Sequence, residues 1–177
     1  MVSQILNSLG KILFNLYGTS EAGVCMIAAS EDLSTHPSTI GKPIKGLSAK
    51  LMLNNQPVHT VGELYIKCTW STLGNNQWVA TGDLPYRDAA GYYYLKGRAD
   101  DMIISGGENI YPFELEKILS DHPHIANNIV ISVQDLGFEQ RLETFIVLQA
   151  NATQTAAAIH DWLKTHVARY QMPKKSS

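Results

Sequence analysis

The chain has 177 residues, 45% of them hydrophobic and 17% charged, with a formal charge of −2. That apolar fraction can bury the core of one domain or two small ones, and the balanced charge gives no broad positive field, which excludes nucleic acid and anionic membrane as partners. No apolar run approaches the ~20 residues of a membrane-spanning helix, and the first residues lack the charged start and small-residue cleavage site of a signal peptide, so a cytoplasmic location is expected. Cys25 and Cys68 lack metal or redox spacing and read as two packed thiols of a reduced compartment.

Val2, Ile5, Leu6, Leu9 and Ile12 keep helical spacing from the start with no cap before them, as if the chain began inside a larger fold. Residues 12–16 read as a short buried strand delivering Tyr17-Gly18-Thr19-Ser20-Glu21 to a loop. Short strands are expected at 49–53, 63–67, 78–80 and 92–95, with turns at Asn54-Asn55 and Ala90-Gly91, as in a small twisted barrel or sandwich. The texture changes past Arg98. A strand at 102–104 and the Gly106-Gly107 turn lead into a helix opened by Pro112, with Phe113, Leu115, Ile118 and Leu119 on its apolar face. Strands at 129–133 and 143–148 precede a second helix from about Thr153, with Ala157, Leu163 and Val167 facing inward. Residues 1–98 and 99–177 thus divide into a strand-rich part and a compact α+β domain.

Three motifs offer chemistry. In Tyr17-Gly18-Thr19-Ser20-Glu21, glycine permits close backbone approach, Thr19 and Ser20 can donate to phosphate oxygens, and Glu21 can hold a magnesium ion. The same residues would also serve as a turn capping the next helix. In Thr81-Gly82-Asp83-Leu84, an apolar approach ends in a carboxylate able to accept from both hydroxyls of a ribose, or in a plain Gly-Asp turn. Arg98 lies across one predicted hairpin from Asp83, so both can converge on one sugar phosphate; its alternative is a surface ion pair with Asp100 or Asp101. The acidic pair Asp100-Asp101 suits a solvated hinge. Gly106-Gly107 would let a narrow ligand arm pass against the main chain, or form an ordinary tight hairpin. The six histidines have no metal-ligand spacing and read as surface or packing residues.

Taken in order, these motifs resemble the C-terminal part of the adenylate-forming acyl-CoA and aryl-CoA synthetases. The resemblance implies an α+β fold: the end of a large AMP-binding N-terminal domain, with a distorted β-barrel, then a small mobile C-terminal domain. It implies that Tyr17 faces the adenine, that Gly18 belongs to the same cofactor-binding site, that Thr19, Ser20 and Glu21 are catalytic through phosphate and magnesium, and that Asp83 and Arg98 bind the ribose and its phosphate. Asp100 matches the hinge, and Gly106 and Gly107 meet the pantetheine arm. The implied cofactors are ATP or AMP, Mg2+, and coenzyme A or a carrier-protein phosphopantetheine; the implied substrate is a carboxylic acid. Gly107-Glu108-Asn109-Ile110-Tyr111-Pro112 is similar to synthetases acting on fatty and aromatic acids.

The sequence also departs from the family pattern. The phosphate loop with its lysine, expected upstream of Tyr17, and the terminal Gly-Lys, expected beyond Tyr170-Gln171-Met172-Pro173-Lys174, are not in these 177 residues. The stretch between Cys68 and Thr81 is short and lacks the usual Gly-Tyr turn. The chain alone is therefore expected to be inactive, and exposed apolar surface to make it a homo-oligomer. A non-catalytic module that binds nucleotide or acyl-adenylate is the alternative.

Overall fold

A computed structural model of the protein describes residues 5, 6, 8, 10–72 and 76–174. Val2 and Leu9 of the expected first helix lie outside these residues; Ile5 and Leu6 are helical, and Ile12 is exposed on a turn. The chain divides into two compact units, Met1–Ala99 and Asp100–Ser177.

Among the described residues the first unit holds three antiparallel sheets. Strand β1 (Asn15–Thr19) pairs with β2 (Gly23–Ala28), and β2 with β3 (Lys42–Pro43). A short helix, α1 (Ser30–Thr35), follows β2, its entry fixed by the Asp32 carboxylate accepting from the Ala29 N–H at 2.9 Å. A four-stranded sheet has β5 (Gln56–Val58), β4 (Ser48–Leu53), β6 (Glu63–Lys67) and β7 (Val79–Ala80) in that order. Asn54 and Asn55 close its β4–β5 hairpin with positive φ of 50° and 62°, the geometry a two-residue turn needs. The last pair is β8 (Asp83–Arg87) with β9 (Tyr93–Arg98). Bridges Gly41↔Tyr93 and Val61↔Tyr86 tie it to its neighbours, and the Thr39 hydroxyl donates to the Tyr93 carbonyl at 2.8 Å. The sheets stay open among the described residues and do not close into a barrel. They share one core around Tyr17, Cys25, Met26, Leu51, Leu64 and Ile66.

The expected buried strand over 12–16 is corrected. The strand runs from Asn15 to Thr19, and Ile12, Phe14 and Leu16 are 67%, 58% and 58% exposed. Strand β1 lies at the edge of its sheet, and only the Tyr17 face meets the core.

In the second unit, β10 (Ile103–Ser105), β11 (Glu108–Ile110), β12 (Ile125–Asp135) and β13 (Glu139–Leu148) form an antiparallel sheet in the order β11-β10-β13-β12. Helix α2 (Pro112–Ser120) starts with Pro112 in its first turn and buries Leu115 and Leu119; Glu116 accepts from the Val130 N–H at 2.9 Å. Phe113, expected on that face, points outward at 40% exposure. Helix α3 (Ala156–Leu163) is capped by Thr155 and buries Ile159 and Leu163, whereas Ala157 is exposed. No helix among the described residues is long and apolar enough to cross a membrane.

Candidate functional site

Strand β1 brings the first motif to a hairpin turn. The Tyr17 ring is buried at 8% exposure, and the β1–β2 register breaks between Tyr17 and Gly18. A Cβ on Gly18 would lie 2.3 Å from the Gly23 carbonyl oxygen, so the two strands close only over glycine. The Thr19 hydroxyl accepts from the Ala22 N–H at 3.2 Å, Ser20 is exposed, and the Glu21 carbonyl accepts from the Thr72 N–H at 2.8 Å. Gly-Thr-Ser-Glu thus leads from β1 into β2 and does not cap a helix.

Asp83 and Arg98 face each other in the β8–β9 register. Arg98 Nη1 donates to Asp83 Oδ1 at 3.3 Å, and the Tyr17 hydroxyl donates to Oδ2 at 2.5 Å. Gly82 has φ +75°, and a Cβ there would lie 2.9 Å from Arg98 Nη2, so glycine makes room for the guanidinium. The Thr81 hydroxyl donates to the Leu64 carbonyl at 3.0 Å and accepts from the Asp83 N–H at 3.2 Å, which fixes the carboxylate's backbone. Burial first, and the Asp83 bond second, push the Tyr17 phenol well above its ordinary pKa, so it stays a donor. The Asp83 side chain keeps 17% of its surface exposed and that of Arg98 49%. The site therefore offers a shielded carboxylate with an accessible cation beside it, suited to a diol bearing a phosphate. The sequence reading assigned Tyr17 by its ring and missed its hydroxyl bond to Asp83, 66 residues away. It also passed over Thr81, although the residue sits inside the motif.

Gly106 and Gly107, with φ of 59° and 87°, form the two-residue turn between β10 and β11, where Ser105 pairs with Glu108. A Cβ on Gly106 would lie 3.1 Å from the Phe138 ring, whereas Gly107 has open space. Asp100 is exposed on the turn after β9. Among the described residues, no three His, Cys, Asp or Glu side chains gather to hold a metal. Glu21 is a single carboxylate, which suits a magnesium ion held chiefly by phosphates. Both cysteines are free and buried, and His122 is buried against Trp162.

Comparisons with known proteins place the chain in one class, the adenylate-forming enzymes. The family model for the AMP-binding enzyme C-terminal domain matches residues 114–176. The mitochondrial medium-chain acyl-CoA ligase of Mus musculus is 31% identical over 98% of this chain and 32% of its own length. The 2-succinylbenzoate–CoA ligase of Bacillus cereus (strain Q1) is 31% identical over 93% of this chain and 37% of its own. Among solved structures, o-succinylbenzoate CoA synthetase from Bacillus subtilis, in complex with its acyl-adenylate intermediate, superposes with a TM-score of 0.87. It is 28% identical and covered over 98% of this chain and 38% of that one. The same synthetase in complex with ATP and magnesium ion gives a TM-score of 0.83 at 27% identity, over 97% and 38% of the two chains. The chain belongs to the adenylate-forming acyl-CoA and aryl-CoA synthetases and corresponds to their C-terminal portion. It spans about a third of the length of these curated relatives.

Proposed function

We propose that this chain is the C-terminal part of an ATP-dependent acid–thiol ligase, which joins a fatty or aromatic carboxylic acid to AMP with release of pyrophosphate and then to coenzyme A. The observation that carries the reading is the convergence of Tyr17 and Arg98, each from a separate motif, on the Asp83 carboxylate of a third. In this assignment Asp83 accepts from the ribose hydroxyls, Arg98 neutralises the adjoining phosphate, and Tyr17 orients Asp83 and presents its ring to the adenine. Gly18 gives the backbone clearance for that approach, and Thr19 and Ser20 donate to the phosphate. Glu21 would hold the magnesium ion, which when bound supplies positive charge to the phosphate oxygens.

Residues 1–98 form the end of the AMP-binding domain and 99–177 the mobile domain, with Asp100 as the hinge and Gly106-Gly107 as the loop that meets the pantetheine arm. The chain by itself does not adenylate carboxylates. Its buried free thiols fit a reduced cytoplasmic setting. Self-association uses the outer face of β1–β2, where Leu16 pairs with Ile27 and both are exposed, at 58% and 38%.

The test is pyrophosphate exchange in a full-length ligase assembled by joining this chain to the N-terminal region of a relative. Asp83→Ala should weaken nucleotide binding and slow adenylation by about tenfold or more. Exchange unchanged by that substitution would remove the assignment.

A further inference from the structure

Strands β1 and β2 close through the pair Thr19 and Gly23, so Ser20, Glu21 and Ala22 form a three-residue loop between them. The loop makes one bond of its own, from the Ala22 N–H to the Thr19 hydroxyl at 3.2 Å. Its carbonyls are bonded from about fifty residues away. Thr72 donates twice to the Glu21 carbonyl, through its N–H at 2.8 Å and its hydroxyl at 3.2 Å, and the Trp70 indole N–H donates to the Ala22 carbonyl at 2.9 Å. Both polar groups of the peptide joining Glu21 to Ala22 are therefore engaged, and the next carbonyl as well, which fixes the backbone from which the Glu21 side chain projects.

Trp70 is 44% exposed, so burial of its ring is not its main contribution. The ring is held all the same: a Cβ on Gly46, where φ is +88°, would lie 3.2 Å from its Cζ3 atom, and glycine leaves room for the indole edge. Cys68 and Ser71, both buried, anchor the segment on either side of Trp70. This is the start of the stretch between Cys68 and Thr81 whose short length and missing Gly-Tyr turn depart from the family pattern. At the far end of the same stretch, the Thr81 hydroxyl accepts from the Asp83 N–H at 3.2 Å.

We propose that Trp70 and Thr72 are positioning residues of the adenylate site: by fixing the Glu21 and Ala22 carbonyls they aim Thr19, Ser20 and Glu21 at the phosphate. This role rests on the ligase reading and deepens it by naming what orders the loop. Donors on a loop that is already ordered bind phosphate without first losing the freedom of the chain, whereas an untethered loop loses that freedom on binding. With Thr81 holding Asp83, one connection braces the phosphate side and the ribose side of the site together.

The test uses the isotope-labelled 177-residue protein and follows its amide resonances during titration with AMP and with adenosine, which lacks the phosphate. The native chain should bind AMP about tenfold more tightly than adenosine. Trp70→Phe keeps a ring against Gly46 and removes the donor; it should cut that advantage about fivefold and leave adenosine binding as in the native chain. Thr72→Val keeps the backbone N–H and should cut the advantage about twofold, and Thr72→Ser, which keeps the hydroxyl, should restore it. Both side chains are exposed, so resonances away from the loop should stay in place. An undiminished preference for AMP in Trp70→Phe, or equal weakening of adenosine and AMP, would overturn the role. Asp83→Ala separates this outcome from the parent reading, because the ribose contact serves both ligands. Loss of both ligands in Asp83→Ala beside native behaviour in Trp70→Phe overturns the positioning role alone; native binding of both ligands by Asp83→Ala overturns the parent reading and the role with it.

Discussion

The hydroxyl of Tyr17 donates to the carboxylate of Asp83 across 66 residues of sequence, fastening the β1–β2 hairpin to the β8–β9 hairpin. Tyr17→Phe keeps the ring and removes the donor, leaving a shielded carboxylate oxygen without that partner. It should cost about 1–3 kcal/mol in urea unfolding of the first unit. The phenol's pKa is raised in the fold, so its contribution is complete below the unfolded value near pH 10 and is lost as pH climbs above it. Native protein should therefore lose stability in that alkaline range, and the phenylalanine variant should lose less.

Gly18 and Gly107 should respond differently to alanine. At Gly18 the new Cβ would meet the Gly23 carbonyl oxygen at 2.3 Å, a backbone atom that must move, so the cost should be about 1–3 kcal/mol or more. At Gly107 nothing stands within 4 Å, and only the left-handed backbone opposes a side chain, at about 1–2 kcal/mol. Thermal unfolding of the two variants checks the order.

The sequence reading succeeded where one local signal decided the outcome. Glu63–Lys67 alternates toward one core, Asn54 and Asn55 accept positive φ, and Pro112 opens its helix. It failed where burial depended on distant partners. The apolar run 12–16 reads as buried because nothing local reveals that Ile12, Phe14 and Leu16 stay exposed among the described residues. Strand β2 and helix α1 were missed because Val24, Cys25, Met26 and Ile27 run together without a period, and α1 buries only Leu33 and Ser30. The site was legible as three motifs, and the register of Asp83 with Arg98 followed from one hairpin. The Tyr17 bond was not legible, because it spans separate sheets.

His122 should make the second unit sensitive to acid. Its ring is buried edge-on against Trp162, with centroids 4.7 Å apart, and its Nδ1 accepts from the His124 N–H at 3.2 Å. Burial first, then the neighbouring His124 and His166, hold its pKa below the ordinary value. The unfolded chain therefore takes up a proton before the folded one, and stability present above about pH 6.5 falls as pH drops below it. The Trp162 indole resonance, followed during denaturant titrations from neutral to mildly acid pH, should report that loss. His122→Gln should flatten the slope.

The hinge assignment predicts a separation of half-reactions. In the assembled full-length ligase, Asp100→Pro fixes φ and removes a backbone donor at the hinge while leaving the Tyr17–Asp83 bond in place. Acyl-adenylate formation should be retained and thioester formation slowed, as single-turnover assays of each step would reveal. Equal loss in both steps with the fold intact would place the hinge elsewhere.

The most direct test of the nucleotide assignment is calorimetric titration of the 177-residue protein with a stable acyl-adenylate analogue, beside its Asp83→Ala variant. The account predicts saturable binding to the native chain and a weakening of about tenfold or more in the variant, with unfolding of the two proteins otherwise similar. Equal affinity in both proteins, or heat from neither, would contradict it.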